Sequence, residues 1–164
     1  MRTTLIAFTL ALAAAGSWAA GRVDVSFAPV DQLADVGRDR FDGERQVKLL
    51  ASHFEALGRR LPDGQVLTVE VLDLNQAGEM KPTRRGSDLR VMRGGADWPS
   101  MTVRWTLRSG TQTLASREER VADMNYLMQP LRGREEGPLG YEMRMIERWF
   151  DERFGPQGTV AAGH

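Results

Sequence analysis

The sequence has no cysteine, only two histidines, and two lysines against 20 arginines. Without Cys there is no disulfide, no thiolate nucleophile, no Cys-ligated zinc and no lipid-modified N-terminal cysteine. A histidine zinc site needs three or four converging ligands. His53 has no second ligand one turn on, and His164 is the last residue, so no metal or other cofactor is expected. Long apolar runs are also missing. Leu5 to Ala15 is eleven residues with Thr9 inside it, short of the roughly 20 that a spanning helix needs. Charge of one sign is absent too. Twenty-two basic residues balance 22 acidic ones, which excludes a strongly basic nucleic-acid binder and an acidic disordered tail.

What the sequence does have begins at its N-terminus. Met1-Arg2-Thr3-Thr4, the apolar run and Ser17-Trp18-Ala19 give the positive start, short apolar segment and small-x-small end of a secretory signal. The alternative is an uncleaved anchor. Cutting after Ala19 leaves 164 − 19 = 145 residues, and losing Arg2 leaves 21 basic against 22 acidic, a net of −1. The expected organisation is a signal at 1–19, one domain at 20–154 and a disordered tail at 155–164. The expected location is the periplasm, with no transmembrane span after cleavage. A chain of this size buries about two-thirds of its unfolded surface and can hold a core unaided.

Val23-Asp24-Val25-Ser26-Phe27 alternates as a half-buried strand. Residues 28–43 read as a loop. From Glu44, the residues Val47, Leu50, Ala51, Phe54 and Leu57 form one helical stripe, with Gly58 as its stop. Val66–Leu74 alternates again, residues 75–87 read as a polar loop, and Leu89 and Val91 mark a short strand. Met101–Arg108 is the clearest alternation. Ser109-Gly110 then suggests a two-residue hairpin turn, which sets Trp105 opposite Leu114 and Val103 opposite Ser116. A strand to Val121 and a long connection over 122–138 follow. Pro138 opens a last helix, with Leu139, Met143, Ile146 and Phe150 as its stripe. Its Met143, Met145, Trp149 and Phe150 read as core rather than a ligand groove. The order implies an α+β fold: a four- to five-stranded, mostly antiparallel sheet with two helices on one face and the other face open.

Chemistry is sparse. Asp73-Leu74-Asn75-Gln76-Ala77-Gly78 starts like a calcium loop, but Ala77 and Arg84 stand where it needs an oxygen ligand and a Glu. There is no G-x-S-x-G and no phosphate-binding Gly-rich loop. Carboxylate pairs for hydrolysis could be drawn only from Glu70, Asp73, Glu118 and Glu119, and a non-enzymatic protein is expected. The unusual feature is arginine. By strand parity Arg90, Arg104, Arg108 and also Arg117 share the open sheet face, with Lys81, Arg84 and Arg85 in the polar loop. Guanidinium forks suit carboxylates and phosphates. The candidate binding residues are therefore Arg90, Arg104, Arg108, Lys81, Arg84 and Arg85, and the candidate partners an anionic envelope glycan, a lipid head group or an envelope protein. The plainer reading is a solvated face with Glu70 and Asp24 as counter-charges.

Five stretches carry a resemblance: VDVSF at 23–27, EVLDLNQAGE at 70–79, VMRGGADWP at 91–99, EERVADMNYL at 118–127 and PLGYEMRMIERWF at 138–150. Through them the chain resembles the exported bacterial domain-of-unknown-function family 3016, over nearly its whole length after the signal. The resemblance implies export in a proteobacterium and supplies no activity, ligand or catalytic residue. The expectation is an exported cell-envelope domain with a binding or accessory role. The alternatives are a subunit of an envelope assembly that uses the open sheet face, and a carboxylate-dependent hydrolase.

Overall fold

Alternation builds the sheet. In the computed structural model, which describes residues 20–84, 88–128, 130–131, 137–156 and 158, strand β1 is Arg22–Phe27 and helix α1 is Arg40–Leu57. Strand β2 is Gln65–Asn75, β3 is Glu79–Pro82 and β4 is Asp88–Val91. The long strands β5 (Ser100–Ser109) and β6 (Gln112–Ala122) precede helix α2 (Gly140–Phe154). The signal expected at 1–19 lies outside the described residues. Of the expected tail, Gly155, Pro156 and Gly158 are described, and the Gly158 N–H donates to the Gly155 carbonyl at 2.7 Å.

The main sheet has the order β1-β2-β5-β6. β1 runs parallel to β2, a pairing that needs a crossover, and α1 lies in that crossover. The other two pairings are antiparallel, so the sheet is mostly antiparallel and the fold is α+β. Leu67, Val69 and Val71 of β2 and Val103, Trp105 and Leu107 of β5 face the helices and are buried. Leu50 and Phe54 of α1 and Ile146, Trp149 and Phe150 of α2 meet them in one core. Edge-on ring pairs lock the layers, Phe54 on Trp149 at 6.3 Å and Trp105 on Phe154 at 5.0 Å. Thr68, Glu70, Arg104, Arg108, Ser116 and Glu118 are exposed on the other face.

Three local expectations are corrected. The stretch 75–87 is not all loop: β3 pairs with β4 as a separate antiparallel hairpin, inserted between β2 and β5. Helix α1 starts at Arg40 rather than Glu44, because the Asp39 side chain caps it by accepting the Asp42 N–H at 2.8 Å. The turn between β5 and β6 falls at Gly110-Thr111, one residue later than expected, with Ser109 opposite Gln112 and a bulge beyond it. Gly110 has φ 55°, the sign that a II′ turn asks of its first central residue. With the bulge, Trp105 lies opposite Arg117 and Val103 opposite Glu119, so every β6 residue in question moves to the other face.

Candidate functional site

The arginines read as one open face divide among three places. Arg104 and Arg108 are on that face. Arg104 lies between Glu70 (2.7 Å) and Glu118 (2.9 Å) on the neighbouring strands, and these two carboxylates raise its pKa, Glu118 first. Its positive charge is thus matched within the sheet. Arg117 shares the side of Trp105 instead. Lys81 is on β3 and donates to Glu79 at 2.6 Å, Arg84 is an exposed turn residue, and Arg85 lies outside the described residues. Arg90 is on β4, outside the main sheet altogether.

Of the carboxylates of the hydrolase alternative, Glu70 and Glu118 meet at Arg104 on the open face, while Glu119 and Asp73 lie apart from them. Glu118 and Glu119 are neighbours on β6 and point to opposite faces. Glu119 accepts from the indole N–H groups of Trp105 (2.9 Å) and Trp149 (3.0 Å) and from Arg153 (2.6 Å). Burial raises its pKa, but these donors outweigh it and hold the carboxyl below its usual range. Asp73 accepts the N–H groups of Ala34 (3.0 Å) and Leu74 (2.9 Å). His53 is half-buried and donates from Nε2 to the Met143 carbonyl at 3.1 Å, with Glu147 at 3.7 Å. Burial pushes its imidazole below the ordinary value, with Glu147 pulling it back.

Arg90 belongs to a hydrogen-bonded chain that crosses the molecule. It starts at Asp42 in the first turn of α1, which accepts the Arg38 N–H (3.1 Å), the Gln46 amide (3.0 Å) and the Arg45 guanidinium. Burial raises the pKa of Asp42, but the hydrogen bonds and charges of Arg38 and Arg45 more than offset it and keep the carboxyl below its ordinary range. Gln76 donates to Gln46, and Arg90 donates to Gln76 and to the Ala77 carbonyl at 3.0 Å. The Ala77 N–H then donates to Glu142 at 2.7 Å. Glu142 is the third residue of α2, and Gln76 and Glu142 are each 1% exposed. The Oε2 of Glu142 has no hydrogen-bond partner among the described residues. Helix α1, the β2–β3 connection, the β3–β4 hairpin and α2 are therefore tied through buried polar groups.

A groove of about 400 Å³ opens over this chain. Its polar lining comes from Arg38, Asp42, Arg45, Gln46 and Arg90, its apolar lining from Leu49, Met80, Met92 and Pro138. On the hairpin, Met80 pairs with Arg90 across the two strands and both face the groove, while Lys81 and Leu89 face away. The sequence supplied Arg90 but assigned it to the wrong surface, and it did not supply Arg38, Arg45, Gln46, Gln76 or Glu142.

Residues 21–152 match the family described as "Protein of unknown function (DUF3016)". The chain belongs to this family. No curated protein and no solved structure matches it. The DUF3016 match runs from β1 into α2, so it takes in both sides of the groove. Among the described residues no group of three His, Cys, Asp or Glu could hold a metal ion, and no helix is long and apolar enough to cross a membrane.

Proposed function

We propose that this DUF3016 protein is an exported, non-enzymatic binding protein of the cell envelope, working in the periplasm after loss of residues 1–19, and that its binding surface is the groove between α1 and the β3–β4 hairpin. One observation carries the choice of surface: the groove pairs apolar walls with arginines over a buried polar chain that ties four segments. Small-molecule sites have this character, mostly apolar with a few placed polar groups. The sheet face supports an anion-binding role less well, since Arg104 already has two carboxylate partners. The non-enzymatic reading draws on Glu70, Glu118, Glu119 and Asp73 each being engaged in bonds within the fold. The export reading rests on the pattern at 1–19.

Native mass spectrometry of the protein recovered from the periplasm tests the proposal. The expected species starts at Ala20 and carries a small non-covalent adduct that a Leu49→Glu variant lacks. A product that retains Met1 refutes export processing. An adduct held equally by the variant refutes the groove.

A further inference from the structure

We infer that the groove takes a single-chain anionic amphiphile, a medium-chain carboxylate, with its head at Arg38 and Arg45 and its chain along Leu49, Met80 and Met92; this rests on the groove being the binding surface. Charge decides the head. Arg38 (3.7 Å) and Arg45 share the single carboxylate of Asp42. Their side chains remain 53% and 62% exposed, which leaves guanidinium edges at the rim for a further acceptor. Arg90 donates to two neutral carbonyls and stands 3.9 Å from the Glu142 carboxylate. Among the described lining residues, Arg38 and Arg45 thus bring two cations to one acidic side chain. A planar carboxylate suits such forks, since it can take paired N–H donors.

Shape decides the tail. Leu49 follows Arg45 by one helical turn, about 6 Å along α1 at 1.5 Å per residue. Leu49 is 45% exposed, an apolar side chain left open beside two methionines. Methionine is flexible and adapts to an unbranched chain. A volume of about 400 Å³ is near the small end for ligand sites, and suits one chain rather than two.

Isothermal titration with sodium decanoate, octanoate, acetate and decanol tests this. Decanoate is expected to bind one per protein. Octanoate, shorter by two methylenes, should bind roughly tenfold more weakly. Acetate and decanol, which each lack one half of the ligand, should be weaker still. The Arg38→Gln/Arg45→Gln double variant should lose tenfold or more. Leu49→Glu should do the same, and its exposed position keeps the test open if the double variant does not fold. No binding of decanoate, no dependence on chain length, or undiminished binding by Leu49→Glu overturns the inference. If decanoate fails while the periplasmic adduct is still lost in Leu49→Glu, the ligand class is wrong and the groove reading stands. If the adduct survives as well, both fall.

Discussion

Glu142 is 1% exposed, and the cation paired with it among the described residues, Arg90, stands 3.9 Å away, beyond hydrogen-bond reach. Burial therefore wins, and its pKa lies above the ordinary carboxyl value despite Arg90 and the Ala77 N–H. A raised carboxyl pKa means the folded state holds the proton to higher pH than the unfolded state. That contribution to stability is complete below the unfolded pKa and is lost as pH rises through the folded one. Glu142→Gln keeps the acceptor for Ala77 and removes the titration. Its stability relative to the parent should therefore rise from pH 4 to pH 7 in urea melts. A difference that stays flat across that range counts against a raised pKa. Trp105 is the opposite case, a large ring buried to 2% whose N–H donates to the fully engaged Glu119. Trp105→Ala should cost about 3–5 kcal/mol, as large-to-small core changes do. Trp105→Phe should cost about 1.5–3 kcal/mol, the usual worth of a hydrogen bond to a charged group. Denaturant melts of the two variants check the order.

Elements were legible where one face was apolar and regular. β2, β5 and the stripe of α2 followed from alternation and helical period. β4 was marked by Leu89 and Val91, but β3 was not, because a strand carrying Glu79 and Lys81 has little apolar alternation. The register of β6 was lost to a bulge that leaves Leu114 unpaired, a feature that a propensity for the core cannot show. The start of α1 was missed because Gly43 in the first turn resembles a loop residue. Its glycine has a packing reason: a Cβ there would stand 2.5 Å from Val30 Cγ1 and 2.9 Å from the Val36 carbonyl. Gly→Ala in a helix ordinarily stabilises by about 0.5–1 kcal/mol. Here Gly43→Ala should instead destabilise by about 1–3 kcal/mol, the usual range for overpacking. A thermal melt at or above the parent's midpoint would show that the 28–37 segment yields without cost.

At the scale of the whole molecule, the candidate site was not legible because its parts are far apart in the chain. Gln46, Gln76, Arg90 and Glu142 belong to four separate segments, and each alone reads as an ordinary polar residue. Their meeting depends on a parallel crossover and an inserted hairpin, neither of which has a local signature. The same arrangement makes a claim about cooperativity. The β3–β4 hairpin lies outside the main sheet and would be marginal alone, as isolated two-stranded ribbons are. If the buried polar chain ties it to the helices, removing Arg90 must be felt by the entire fold. Arg90→Leu leaves Gln76 Oε1 and the Ala77 carbonyl without those donors, and each buried orphan costs about 1–3 kcal/mol. Global stability should fall by about 2–4 kcal/mol, in a single transition seen alike by far-UV circular dichroism and by the fluorescence of the core indoles of Trp105 and Trp149. Hydrogen exchange of the amides paired between β3 and β4 should accelerate together with that of β2 and β5. If the hairpin amides exchange faster while the tryptophan transition stays within about 0.5 kcal/mol of the parent, the hairpin opens on its own. The groove then has one mobile wall, and the polar chain does not unite the fold.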